Sequence, residues 1–165
     1  MAMEKSTRGN ASQFFVAGEL CRRGLLAVVT MGNTPNTDIL CSNIEGTKFV
    51  HIQVKTFVPG GRTCSVGLKA EKDFGENFFW VLGGIPRAED KSNPIYYIIP
   101  SSVMAKEIKK AHAMWLKAPG MKGQEHNENK VRTVHLPPYT SISGWDVSIY
   151  QNRWDLIEER LNTDS

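Results

Sequence analysis

Breaks at Gly24, at Gly32-Asn33-Thr34-Pro35-Asn36, at Glu45-Gly46 and at Pro59-Gly60-Gly61 divide the N-terminal part of the chain into one helix-length piece and three strand-length pieces. No other feature limits the fold as tightly. Over residues 10–23 the spacing predicts a helix: Asn10 or Ser12 can cap its start, Phe15, Val16, Ala17 and Leu20 supply an apolar stripe, and Gly24 suits the stop. Leu25 to Thr30 is a β-branched apolar run and reads as a first strand, and Thr37 to Ser42 as a second. The turn at Glu45-Gly46 then leads into a third strand, Val50-His51-Ile52-Gln53-Val54-Lys55-Thr56-Phe57. A helix followed by a three-strand meander is the expected opening.

The third strand carries the chemistry. Side chains alternate across a strand, so Val50, Ile52 and Val54 share one face while His51, Gln53 and Lys55 share the other. A lysine in so apolar a run calls for an anionic partner or an anionic substrate. Asp38, at the start of the neighbouring strand, comes to the same sheet edge if the Glu45-Gly46 turn closes a hairpin. A carboxylate, the Gln53 amide oxygen and the Val54 carbonyl would then form a set of oxygen ligands suited to a hard divalent cation such as magnesium. Lys55 would stabilise added negative charge or orient a water for attack on a phosphodiester.

Glu19 on the first helix, Asp38 at the start of the second strand and Gln53-x-Lys55 on the third resemble the PD-(D/E)xK nuclease superfamily, whose restriction-endonuclease-like core runs helix, three-strand meander, helix, strand. The resemblance spans about residues 10 to 57; beyond them only the order of elements agrees. Gln53 stands where that pattern usually carries an acidic residue, so the site has one negative charge fewer. Leu68 to Phe74 is a short substitute for the usual long helix. The resemblance implies metal-dependent hydrolysis of phosphodiester bonds, in DNA rather than RNA, by enzymes that often work as homodimers. It implies magnesium or manganese held by Asp38, Gln53, the Val54 carbonyl and Glu19, with Lys55 catalytic.

The residues alone leave alternatives open. Glu19 can pair with Arg22 or Arg23 at helical spacing, Asp38 can cap a turn, and Gln53 and Lys55 can be the solvated side of an amphipathic strand. A nuclease fold that binds nucleic acid or a protein partner without cleaving is the rival function, since fold does not fix function.

Further along, Thr63 to Val66 reads as a short strand, Phe78 to Ile85 and Ile95 to Ile99 as longer ones, and Pro100-Ser101-Ser102 opens a helix ending near Lys117. Ala118 to Lys130 is a polar loop, and a closing helix beginning near Asn152 holds Trp154, Leu156, Ile157 and Leu161. The expected fold is one α/β domain over 1–165, with a mixed, mostly antiparallel sheet flanked by helices. Trp115, Trp145 and Trp154 read as core.

Net charge is only +3, but its distribution is uneven. Seven basic residues against three acidic ones lie between Ser101 and Arg132, and the balance reverses after Thr140. Lys106, Lys109, Lys110 and Lys117 are the candidate phosphate contacts, with a solvated helix face as the alternative. Cys21, Cys41 and Cys64 are odd in number and widely spaced, which argues against zinc and for structural thiols in a reducing cytoplasm. The apolar runs are too short to cross a bilayer, and the first five residues lack a signal peptide's apolar core.

Overall fold

In a computed structural model, residues 5–31 and 34–163 are described. The first four residues, two positions of the Gly32–Asn36 breaker cluster and the final two residues lie outside them. Helix α1 (Lys5–Arg22) begins earlier than expected and stops where expected. Gly24 adopts a left-handed φ of 82°, and the amides of Gly24 and Leu25 turn back to the carbonyls of Cys21 and Leu20. This paired closure satisfies carbonyls that the helix end would otherwise orphan.

Strands β1 (Leu26–Val29), β2 (Ile39–Ser42) and β3 (Phe49–Phe57) form the expected antiparallel meander. The Asn43 Oδ1 accepts from the amides of Thr47 and Lys48 and so stitches the β2–β3 turn. After β3 come a short strand β4 (Thr63–Ser65), a single 3-10 turn over Leu68–Glu71, and β5 (Phe78–Gly84). That crossover lays β5 parallel to β3, pairing Gln53 with Trp80 and Lys55 with Leu82. Strand β6 (Ile95–Pro100) returns antiparallel to β5, completing a five-stranded sheet in the order β1-β2-β3-β5-β6. Helix α2 (Ser101–Lys117) follows directly, then β7 (Thr133–His135), a second 3-10 turn over Val147–Tyr150, and α3 (Asp155–Asn162). The expected α/β class and mixed, mostly antiparallel sheet are therefore present. No local pattern marks β7, because its pairing with β4 in a separate two-stranded sheet is wholly non-local.

The sheet separates two apolar layers. On one side Val16 and Leu20 of α1 and Ile157 and Leu161 of α3 bury Val50, Ile52 and Val54. On the other side Met104 and Ile108 of α2, with Cys64, Val134 and Leu136, bury Trp80, Leu82 and Phe57. Close approach demands glycine in β5: an added Cβ would collide with the Ser12 hydroxyl at Gly83 and with the Phe57 ring at Gly84. Cys41 and Cys64 are buried thiols, both pushed up to about 12 by burial, and Cys21 is exposed on α1. Trp80 and Trp154 are core residues as their apolar neighbours suggest. Trp115 is not: it is half-buried and stacked on His126, with ring centroids 4.0 Å apart. No helix among the described residues is long and apolar enough to cross a membrane.

Candidate active site

Asp38 stands one residue before β2 and extends its ladder. Its amide donates to the Ile52 carbonyl at 2.9 Å, and its own carbonyl accepts from the Thr30 amide at 2.9 Å. The backbone is thus held on both sides, which fixes where the carboxylate starts. Beyond this point β3 runs on without a β2 neighbour, so its outer edge is left for side chains. Asp38 Oδ2 fills that edge by accepting from the Val54 amide at 2.7 Å and from the Gln53 side-chain amide.

Alternation along β3 places the remaining groups. The Ile52 carbonyl points toward β2, where it meets the Asp38 amide, while the His51 amide points toward β5, where it meets the Asn77 carbonyl. Val54, two residues past Ile52, therefore aims both its N–H and its carbonyl at the Asp38 side. Gln53 and Lys55 project from the face away from α1 into an open cleft that they line with Asp38, Asn36, Lys69 and Trp80. The cleft measures about 490 Å³. Burial pushes the Asp38 carboxyl above its ordinary range, opposed by the Val54 hydrogen bond and by the charges of Lys55 and Lys69.

These groups suit a hard cation only in part. The Asp38 carboxylate and Val54 carbonyl face one edge, and the Gln53 amide lies against them. Gln53 presents its N–H₂ end to Asp38, so holding a cation requires the amide to turn its oxygen inward. Among the described residues, no three His, Cys, Asp or Glu side chains gather as a metal cluster. The donor set is thus one carboxylate, one amide and one carbonyl, a composition suited to a magnesium-type ion that keeps most of its waters.

Other expected residues lie elsewhere. Glu19 does not join the cleft: on the sheet's α1 side it bonds Arg22 at 2.7 Å and Arg23 at 3.1 Å, and it lines a different hollow with Tyr96 and Trp154. Helix α1 packs on the face opposite the cleft, where Arg22 and Arg23 at i+3 and i+4 take the carboxylate, and the hydrogen bond from Arg22 holds the Glu19 carboxyl below its usual range. Lys106, Lys109, Lys110 and Lys117 are all exposed on α2, which packs on β5, β6 and the 3-10 turn bearing Lys69. The basic helix therefore lies on the same face of the sheet as the cleft. His51 shares that face and meets the Thr37 hydroxyl at 3.1 Å. Lys69 and the wall residue Trp80 join the site without a signal in the sequence. Only the β3–β5 crossover brings them there, and no local spacing marks it.

No family model and no curated protein matches the chain. Among solved structures it is similar to a bacterial homing endonuclease, I-Ssp6803I, with a TM-score of 0.56, 15% identity, and coverage of 96% of this chain and 94% of that one. The chain thus has the fold of a nuclease.

Proposed function

We propose that this chain is a metal-dependent endonuclease of the PD-(D/E)xK type, forming one domain over 1–165 and hydrolysing phosphodiester bonds in DNA. The observation that carries this reading is the meeting of Asp38, Gln53, the Val54 backbone and Lys55 at one open cleft, on a fold shared with a homing endonuclease. Asp38, the Val54 carbonyl and a turned Gln53 would hold magnesium or manganese. When bound, such an ion supplies a water of lowered pKa and positive charge for a phosphoryl oxygen. Val54 fixes the Asp38 carboxylate through its amide, so the ligand edge is preorganised before substrate arrives. Lys55 donates to a non-bridging oxygen as negative charge accumulates on the phosphoryl oxygens. The reaction adds water to phosphorus and breaks one P–O ester bond, and the leaving oxygen takes a proton. The lysines of α2 supply sequence-independent backbone contacts.

The test is cleavage of linear, single-stranded and branched DNA across a manganese titration, with Lys55→Ala alongside. Cleavage that requires the metal and falls at least about 100-fold in the variant supports the assignment. A second reading, a binding module that does not cleave, draws on the single carboxylate in the cleft and the amide turned toward it. DNA binding indifferent to EDTA, with no cleavage of any substrate, would select that reading.

A further inference from the structure

The cleft has a second cationic residue, Lys69, besides Lys55. Lys69 lies on the 3-10 turn after β4 and lines the cleft opposite the end of β3. Of the side chains lining that cleft, two are ammonium groups and one is a carboxylate, so its walls carry a net positive charge before any cation enters. Lys69 is exposed and forms no ion pair with a described residue. The one acid on its own turn, Glu71, is committed to Arg132 at 2.5 Å.

The turn itself is braced from beneath. The Val66 amide donates to the Arg132 carbonyl at 2.9 Å and the Gly67 amide at 3.3 Å, and Gly67 takes a left-handed φ of 76° to start the turn. Ala70 is fully buried, and the buried Arg132 guanidinium also binds the Asn129 and Val131 carbonyls. A lysine on so fixed a base loses less freedom on binding than one on a loose loop. Trp80, 1% exposed, walls the same cleft beside it.

We propose that Lys69 is a second phosphate-binding residue of this cleft. It takes a backbone phosphate beside the one that Lys55 faces, and so fixes how the nucleic-acid strand lies across Asp38 and Gln53. The inference rests on the nuclease reading for its ligand class, a phosphodiester strand, but not on cleavage.

The experiment uses the full chain and a short fluorescein-labelled duplex, with binding followed by anisotropy in calcium as salt is raised. Each phosphate contact contributes about 0.9 to the slope of log affinity against log salt, or about 3.5-fold between roughly 50 and 200 mM. Lys69→Gln should lower the slope by about that amount. Lys69→Arg should keep it, and Lys91→Gln, in the loop before β6, should leave it unchanged. Unaltered thermal unfolding shows that the exposed substitution leaves the fold intact. A wild-type slope in Lys69→Gln overturns the proposal, as does an equal loss in Lys91→Gln or no DNA binding by the wild-type chain. If the slope falls as expected but manganese never supports cleavage, the phosphate contact stands and the nuclease reading fails. If manganese supports cleavage but the slope is unchanged, the nuclease reading stands and the phosphate contact fails.

Discussion

Gln53→Glu puts the geometry of the site to its hardest test, because it helps or harms according to whether a cation is present. In the free protein the Gln53 amide donates to Asp38 Oδ2. A carboxylate in its place loses that hydrogen bond and sets a second negative charge against the first. At about 4 Å and an effective dielectric constant of about 20, the repulsion is about 4 kcal/mol. The pair can escape by keeping one proton. For a carboxyl with an unfolded pKa of about 4.3, holding that proton at pH 7 costs about 3.7 kcal/mol, and at pH 5 only about 1 kcal/mol. The two routes agree, so the metal-free variant should be about 3–4 kcal/mol less stable at neutral pH, a fall in Tm of about 7–14 °C. The deficit should shrink as the solution is acidified. Saturating manganese, which binds only the folded form, should then restore most of the loss and raise Tm more in the variant than in the wild type. Thermal unfolding in EDTA and in manganese, at pH 5 and pH 7, reads all four quantities. An unchanged Tm in EDTA at pH 7 would mean that Gln53 does not rest on Asp38. A manganese shift no larger than the wild type's would mean that this edge is not the cation site.

Asp38→Asn should abolish cleavage without lowering stability at neutral pH. Burial raises the Asp38 carboxyl, so its stabilising contribution is full below about pH 3.9 and is lost as pH climbs through the raised value. Plotted against pH, the wild type should therefore lose stability relative to the variant between acid and neutral conditions; a parallel pair of curves refutes the assignment. Glu19→Gln removes the bonds to Arg22 and Arg23 outside the cleft, so the cleavage rate should stay within about 3-fold and Tm within about 2 °C of wild type. A hundredfold loss of rate would return Glu19 to the chemistry. Arg132→Met strips a buried guanidinium from Glu71, Glu128 and two carbonyls, and should cost about 3–5 kcal/mol in urea unfolding. A cost under about 1 kcal/mol would show that the brace beneath Lys69 is dispensable.

The legible half of this site is the half built by neighbours in sequence. Strand alternation alone separates Gln53 and Lys55 from Ile52 and Val54, and one tight turn brings Asp38 beside them, so both steps can be read without knowing the rest of the fold. Glu19 shows where such reading fails: a carboxylate on the first helix fits a ligand pattern and an i+3, i+4 ion pair equally, and only the packing of α1 on the opposite face decides. Lys69 and Trp80 fail for the complementary reason. The parallel β3–β5 pairing sets Trp80 beside Gln53 across 27 positions of chain, and the same crossover swings the Lys69 turn over the cleft. That turn is itself held by Arg132, which is 63 positions further on and belongs to the segment beside β7. Such contacts leave no periodicity behind, because each depends on loop closures whose entropy is recovered only when the whole domain packs. It follows that substitutions at Asp38, Gln53 and Lys55 should act through the cleft itself, on its chemistry and on the balance of charge and hydrogen bonds around Asp38. Substitutions around Arg132 should instead couple folding to substrate positioning, since one guanidinium supports both.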